Sequence, residues 1–310
     1  MPALSGKRVL ITGASSGVGA AAAVAFARAG ADVALLARRR EGLEVAATAA
    51  RAYGGAVHVV AADVADRPAL EAAVAEAVDA LGGLDVLVSN AAAMLYGAFE
   101  AVVPEEFDRT LDITFTGAVN VIRAALPHLE RSHGTIVVTG SIMGKVPLPT
   151  LSSYAAAKHA LRGFLGSLRV ELRAKGSPVT ISIVNPGAVD TPLWDHLSAA
   201  GPVQVRNPPD LYSPQTIARA LVAVAIAPRP EFTVGGEARV IELGWAFARP
   251  IANLVLTIVS RYYSSGRRPA PAVGLLRGPT GEGRASGGRH GRPSLWAWLR
   301  LGRPYRRRGR

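Results

Sequence analysis

Tyr154 and Lys158 stand four residues apart in the stretch Tyr154-Ala-Ala-Ala-Lys158. On a helix of 3.6 residues per turn that spacing puts both side chains on one face. A phenol ordinarily titrates near ~10, too high to exchange protons easily at neutral pH. An ammonium held beside it favours the phenolate and lowers that value. The pair is therefore a candidate acid–base unit for a carbonyl or an alcohol. Ser141 precedes Tyr154 by thirteen residues and follows the apolar run 134–139, where its hydroxyl can support a developing oxyanion. Each residue also has a plain structural reading. Tyr154 suits a half-buried helix position with a wet hydroxyl, and Ser141 between Gly140 and Gly144 suits a strand-end turn.

Elements that would position these residues are legible upstream. The β-branched run Lys7–Thr12 leads into Gly13-Ala14-Ser15-Ser16-Gly17-Val18-Gly19 and then an alanine-rich stretch. Strand, glycine turn and helix form the context of a dinucleotide-binding fingerprint. Glycines allow a tight turn and close backbone approach to a pyrophosphate seated on the helix N-terminus. Apolar runs predict strands at 7–12, 32–37, 57–61, 85–89, 134–139 and 179–184, with a seventh at 231–234. Helical patterns predict helices at 17–29, 41–53, 68–81, 105–131, 153–175 and 214–227. The alternation predicts an α/β, Rossmann-type doubly wound, mostly parallel sheet of six to seven strands with helices on both faces. In such a sheet the ligand crevice lies at the carboxyl ends of the strands. Gly13, Asn90, Ser141 and Pro186 all fall at such ends.

The chain resembles the short-chain dehydrogenase/reductase family through Thr12-Gly13-x3-Gly17-x-Gly19, Asp63-Val64, Ser89-Asn90-Ala91, Ser141, Tyr154-x3-Lys158 and Asn185-Pro186-Gly187. These run in the family's order and spacing across about residues 5–245. The resemblance implies hydride transfer between a nicotinamide and a carbonyl or secondary alcohol. Tyr154 would be the acid/base, Lys158 would lower its pKa and bind the nicotinamide ribose, and Ser141 would stabilise the oxyanion. Gly13, Ser15, Ser16, Gly17, Val18 and Gly19 would cradle the pyrophosphate. Asp63 and Val64 would meet the adenine, and Asn90 and Ala91 would lie near the adenosine ribose. Pro186, Gly187 and Val189 would run beside the nicotinamide, with Thr191 on its carboxamide. Two positions depart from the family pattern. Ala92 stands where the family has glycine, and Thr114 stands where it often has an asparagine that holds a proton-relay water. Threonine lacks the amide and makes fewer hydrogen bonds. Thr114 is still expected to take part, through a rearranged network or in a slower enzyme.

The second predicted strand ends in Arg38-Arg39-Arg40 with no acid. An acid there suits the ribose 2′-hydroxyl of NAD, whereas arginine suits the 2′-phosphate of NADP. Arg38, with Arg39 second, therefore predicts NADP(H) over NAD(H). Asp66 lies two residues before Pro68 and is the better helix cap, which leaves Asp63 freer for a ligand. Ile142, Met143, Val146 and Leu148, with Leu193, Trp194 and Leu197, predict an apolar pocket for a small apolar carbonyl or alcohol. Arg206 is the one candidate for a substrate carboxylate.

The chain has 310 residues, no cysteine and a formal net charge of +12. Thirteen of its 35 Lys+Arg fall in residues 261–310, beside a single acid, Glu282, so the remainder is electrically balanced. No disulfide framework is available, the scattered histidines lack metal-ligand spacing, and no leader pattern is apparent. A cytoplasmic protein is expected. The expected organisation is a catalytic Rossmann domain over 1–245, an apolar or amphipathic helical extension over 246–263, and an Arg/Gly/Pro-rich tail over 264–310 that lacks the composition to fold. The apolar run 251–259 is about half of what a bilayer span needs. Tryptophans beside arginines near the end suit an anionic membrane surface, and a plain solvated basic tail fits equally. Nucleic acid rests on the tail alone. A homo-oligomer, dimer or tetramer, packing through 105–131 and 153–175 is what the family resemblance implies. The alternative function is a non-catalytic or weakly catalytic nucleotide-binding regulatory or scaffold protein on the same fold.

Overall fold

A computed structural model describes residues 3–192, 198–199, 211–264 and 284–287. In chain order the first elements are β1 (Arg8–Thr12), α1 (Gly17–Arg28), β2 (Asp32–Ala37), α2 (Arg40–Arg51), β3 (Val57–Ala61), α3 (Arg67–Leu81) and β4 (Val86–Ser89). After the two-residue β5 (Leu95–Tyr96) come α4 (Pro104–Leu111), a π-helical turn (Asp112–Thr116), α5 (Gly117–Ser132), β6 (Thr135–Thr139) and α6 (Ser152–Ala174). The remainder comprises β7 (Thr180–Pro186), β8 (Ser198–Ala199), α7 (Pro214–Ile226), β9 (Glu231–Val234), α8 (Gly236–Phe247) and α9 (Arg249–Ser264).

Seven strands form one parallel sheet in the order β3-β2-β1-β4-β6-β7-β9. The expected strands are all present, because strands buried on both faces read as unbroken apolar runs. Side chains alternate between two cores, as the pleat requires. Val9 and Ile11 join a cluster with α1, α2 and α7, and Leu10 joins the opposite cluster with α3, α5 and α6. The alanine face of α1 lets it pack closely on α7. Chain direction along the sheet reverses between β1 and β4, so the crevice opens at their carboxyl ends.

Three features differ from the sequence expectation. The single helix expected over 105–131 is two helices joined by the π turn at Asp112–Thr116. The cause is tertiary. Thr114 is fully buried, and its hydroxyl donates to the Ala93 carbonyl at 3.1 Å and accepts the Ala93 N–H at 3.0 Å. Gly117 also sits so close to Val64 that a Cβ there would meet its Cγ2 at 2.5 Å. The second feature is α8, which has no counterpart among the expected helices. The third is Arg284–Gly287, within the tail expected to be unfolded, which carries defined hydrogen bonds. Helix α9 covers Arg249–Ser264. No helix among the described residues is long and apolar enough to cross a membrane. Leu193, Trp194, Leu197, Arg206 and the Trp/Arg-rich end lie outside the described residues.

Candidate active site

Gly13 ends β1 with φ +65°, and a Cβ on it would meet Ala91 Cα at 2.9 Å. A Cβ on Gly19 would meet the Gly13 carbonyl oxygen at 2.1 Å. Only glycine lets the turn fold back on α1 this tightly. Helix α1 then starts with no side-chain cap from Ser16 and no acid in its first turn, so its N-terminal N–H groups face the crevice as an anion site. Asn90 ties the ends of β4 and β1 together. Its amide nitrogen donates to the Thr12 carbonyl at 3.1 Å, and the Thr12 hydroxyl accepts the N–H groups of Asn90 and Ala91 at 3.0 and 3.1 Å.

One cavity of about 620 Å³ runs along the carboxyl ends of the strands. It is lined by Gly13, Ser15, Ser16, Gly17, Val18, Arg38, Arg39, Asp63, Val64, Asn90, Ala91, Ser141, Tyr154, Lys158, Pro186, Gly187, Val189 and Thr191. Gly19 lies beneath its floor. Thr114 does not line it, since both hydrogen-bonding directions of its hydroxyl go to the Ala93 backbone. Its side chain is therefore committed to the Ala93 backbone and not offered to the cavity. It braces the loop that carries Asn90.

At the far end, Ser141 is buried and its Oγ accepts the Met143 N–H at 3.1 Å. That contact uses a lone pair and leaves the hydroxyl proton for the Tyr154 phenol. Tyr154 is half-buried against Met94, Tyr96 and Leu151. Burial pushes its phenol up to about 12, and the hydrogen bond of Ser141 opposes the rise. Lys158 is 4% exposed and donates to the Thr139 carbonyl at 2.8 Å. Burial lowers its ammonium to about 8. At neutral pH the phenol is therefore protonated and the amine still mostly charged.

At the near end, Arg38 is half-buried. Burial lowers its pKa, Asp63 opposes that, and Arg109 and Arg39 add to the lowering. Asp63 is less free than expected. Its carboxylate is ion-paired with Arg109 and accepts the Ala65 N–H at 3.0 Å. Asp66 does cap α3, accepting the Ala69 N–H at 3.2 Å.

Sequence reasoning missed several residues here. Arg109 joins the near end from α4, forty-six positions beyond Asp63. Glu237 lines the cavity where its carboxylate accepts the Tyr212 hydroxyl, and a Cβ on Gly187 would meet its Oε1 at 3.0 Å. It follows β9 by three residues, so the strand-end rule that found Ser141 would also have found it. The apolar wall of α8 and α9, including Val240, Ile241, Val255 and Leu256, closes the cavity beside Met143, Val146 and Leu148. Lys145 holds this side in place through ion pairs with Glu231 at 2.6 Å and Glu242 at 2.8 Å.

The family model described as short chain dehydrogenase matches residues 7–201. A hydroxysteroid 11-beta-dehydrogenase 1-like protein of Xenopus tropicalis is 40% identical over 190 residues, covering 61% of this chain and 66% of its own length. The uncharacterized oxidoreductase YxnA of Bacillus subtilis is 30% identical over 267 residues, covering 84% of this chain and 74% of its own. Among solved structures, an alcohol dehydrogenase of Thermococcus sibiricus complexed with 5-hydroxy-NADP superposes with a TM-score of 0.65 at 29% identity, covering 73% of this chain and 95% of that one.

Proposed function

The chain belongs to the short-chain dehydrogenase family of oxidoreductases, and from that premise we propose that it is an NADP(H)-dependent oxidoreductase acting on apolar carbonyls or secondary alcohols. The observation that carries this reading is the convergence of Ser141, Tyr154 and Lys158 with the glycine turn in one cavity.

The crevice fits a dinucleotide on its own geometry. The backbone cradle at Gly13 and Gly19 excludes any side chain, and the α1 N-terminus lacks a side-chain cap. Among the described residues, Arg38, Arg39 and Arg109 gather near Asp63, which pairs with Arg109. That local excess of positive charge favours a 2′-phosphate over a bare 2′-hydroxyl. Bound there, the dinucleotide supplies or accepts the two electrons of the reaction as hydride.

This chain's residues handle the proton. Tyr154 is protonated at neutral pH, and burial makes it a weaker acid than a free phenol; it gives its proton to the carbonyl oxygen in reduction. Lys158, mostly ammonium at neutral pH, stabilises the phenolate that remains. Ser141, whose hydroxyl hydrogen-bonds Tyr154, turns that hydrogen bond to the same substrate oxygen as charge develops on it. In oxidation the proton runs the other way. Thr114 positions the Asn90 loop and touches no reacting atom.

Substrate polarity follows from the walls. Met143, Val146, Leu148, Val240, Ile241, Val255 and Leu256 present no cation to a carboxylate. A bulky, uncharged ketone or alcohol suits them, and the printed name of the frog relative agrees with that polarity. Pairing with copies of itself through α5 and α6 completes the reading, supported by Val170, which lies 68% exposed on α6. NADPH consumption with a panel of hydrophobic ketones tests the proposal. Turnover dependent on NADPH is expected, and its absence with every ketone and every apolar alcohol would refute it.

A further inference from the structure

Four residues of the C-terminal segment, Arg284-Ala285-Ser286-Gly287, lie against the rim of the crevice. The Arg284 carbonyl accepts the Gly17 N–H at 3.0 Å. The Ser286 hydroxyl donates to the Asp190 carboxylate at 2.7 Å, and the Gly287 N–H donates to the Asp190 carbonyl at 3.4 Å. Ala285 packs on the apolar cluster shared by α1 and α7. Gly17 opens α1, and Asp190 lies in the loop leaving β7. These two stretches already touch, since a Cβ on Gly17 would meet Thr191 Cγ2 at 3.2 Å. The segment thus bridges two pieces of chain that both border the cavity.

Each contact answers a local need. Helix α1 has no side-chain N-cap, and its first N–H takes the Arg284 carbonyl as acceptor instead. The Asp190 residue is 4% exposed, and a carboxylate that deep needs donors. Ser286 is one of them. The run Ala-Ser-Gly is small enough to lie flat on the rim.

We propose that Arg284–Gly287 is a built-in competitor of the dinucleotide. Docked, it sets a neutral carbonyl on the α1 N-terminus, where a dinucleotide phosphate would otherwise accept. The two oxygens need the same N–H and exclude each other. A phosphate makes the stronger, charge-assisted bond, so the cofactor displaces the segment, but its apparent affinity falls by the undocked fraction. A segment docked nine-tenths of the time weakens binding about tenfold. This rests on the reading of the crevice as a dinucleotide site.

The test uses the full-length chain and two full-length variants. Ser286→Ala removes the bond to Asp190, and Ala285→Asp drives a carboxylate against the apolar cluster. Both positions lie outside the sheet and its helices. Kd for NADPH is measured for all three proteins, together with the rate at which trypsin cuts after Arg284. The expected result is NADPH binding about 3- to 10-fold tighter in each variant. Faster cutting after Arg284 is also expected in the variants, and in the parent once NADPH saturates it. NADPH binding that is unchanged or weaker in both variants overturns the competitor while leaving the cofactor reading intact. Failure of all three proteins to bind either NADPH or NADH overturns the cofactor reading and the competitor with it.

Discussion

Lys158 Nζ lies 5.6 Å from the centroid of the Tyr154 ring while donating to the Thr139 carbonyl at 2.8 Å. The lysine is thus held by the end of β6, two residues before Ser141, with its charge over the Tyr154 ring. With the ammonium lowered to about 8 by burial, its support for the phenolate is pH-dependent. Carbonyl reduction is expected to fall as pH rises through about 8, where Lys158 loses its charge. A Lys158→Met variant is expected to be slow at all pH values and to lack that inflection. A pH–rate profile of kcat/KM checks this, and a profile in the variant that keeps the same inflection would assign it to another group.

Arg38 is the residue on which the proposed NADP(H) preference turns. Arg38→Asp removes one cation and adds one anion beside Asp63, leaving two cations against two acids at the near end. Charge-assisted hydrogen bonds are worth about 1.5–3 kcal/mol, so NADPH affinity is expected to drop by about 10- to 100-fold with NADH affinity unchanged or improved. Paired titrations with the two cofactors read this directly. An unaltered NADPH/NADH ratio would show that Arg38 does not contact the 2′-phosphate.

Thr114 is expected to affect stability more than chemistry. Thr114→Val keeps the shape but leaves the Ala93 N–H and carbonyl without their partner. A buried unpaired group costs about 1–3 kcal/mol. Denaturant midpoints should fall accordingly, with weaker cofactor binding through the Asn90 loop. Thr114→Asn has no room in a fully buried π turn and is expected to lower stability, not to raise turnover.

The Lys145 ion pairs predict acid sensitivity of the pocket wall. Burial raises the carboxyls of Glu231 and Glu242, but Lys145, together with Arg162 at Glu231 and with Thr233 and Arg239 at Glu242, holds both below their ordinary 4.5. Their folded-state pKa values are depressed, so the stabilisation is present above 4.5 and is lost as pH falls through the folded values. Lys145→Met should flatten the acid side of the stability–pH curve. Thermal melts across pH 3 to 7 for both proteins measure it, and parallel curves would contradict the assignment.

The strands and the Tyr154–Lys158 pair were legible because their signals are local. A strand buried on both faces is a continuous apolar run, and an i, i+4 pair shares a helix face wherever the helix packs. The π turn was not legible, since it depends on Ala93 and Val64, which come from other strand ends. Asp63 looked free because its partner Arg109 is remote in sequence. The α8 wall was missed because few of its side chains are buried on the body, leaving Val240 at 68% and Phe247 at 86% exposed. Arg284–Gly287 was hidden by composition, as its contacts are made mostly by backbone groups that carry no residue signature.

In the proposed reaction Tyr154 transfers the proton and NADP(H) the hydride. The most direct measurement is single-turnover oxidation of bound NADPH by an apolar ketone in the parent and in Tyr154→Phe, with NADPH affinity measured on the same samples. General acid catalysis contributes about 10²–10⁴-fold, so the variant should bind NADPH as the parent does and turn over slower by that factor. A Tyr154→Phe protein that binds NADPH and reduces the ketone at the parent's rate would contradict the account.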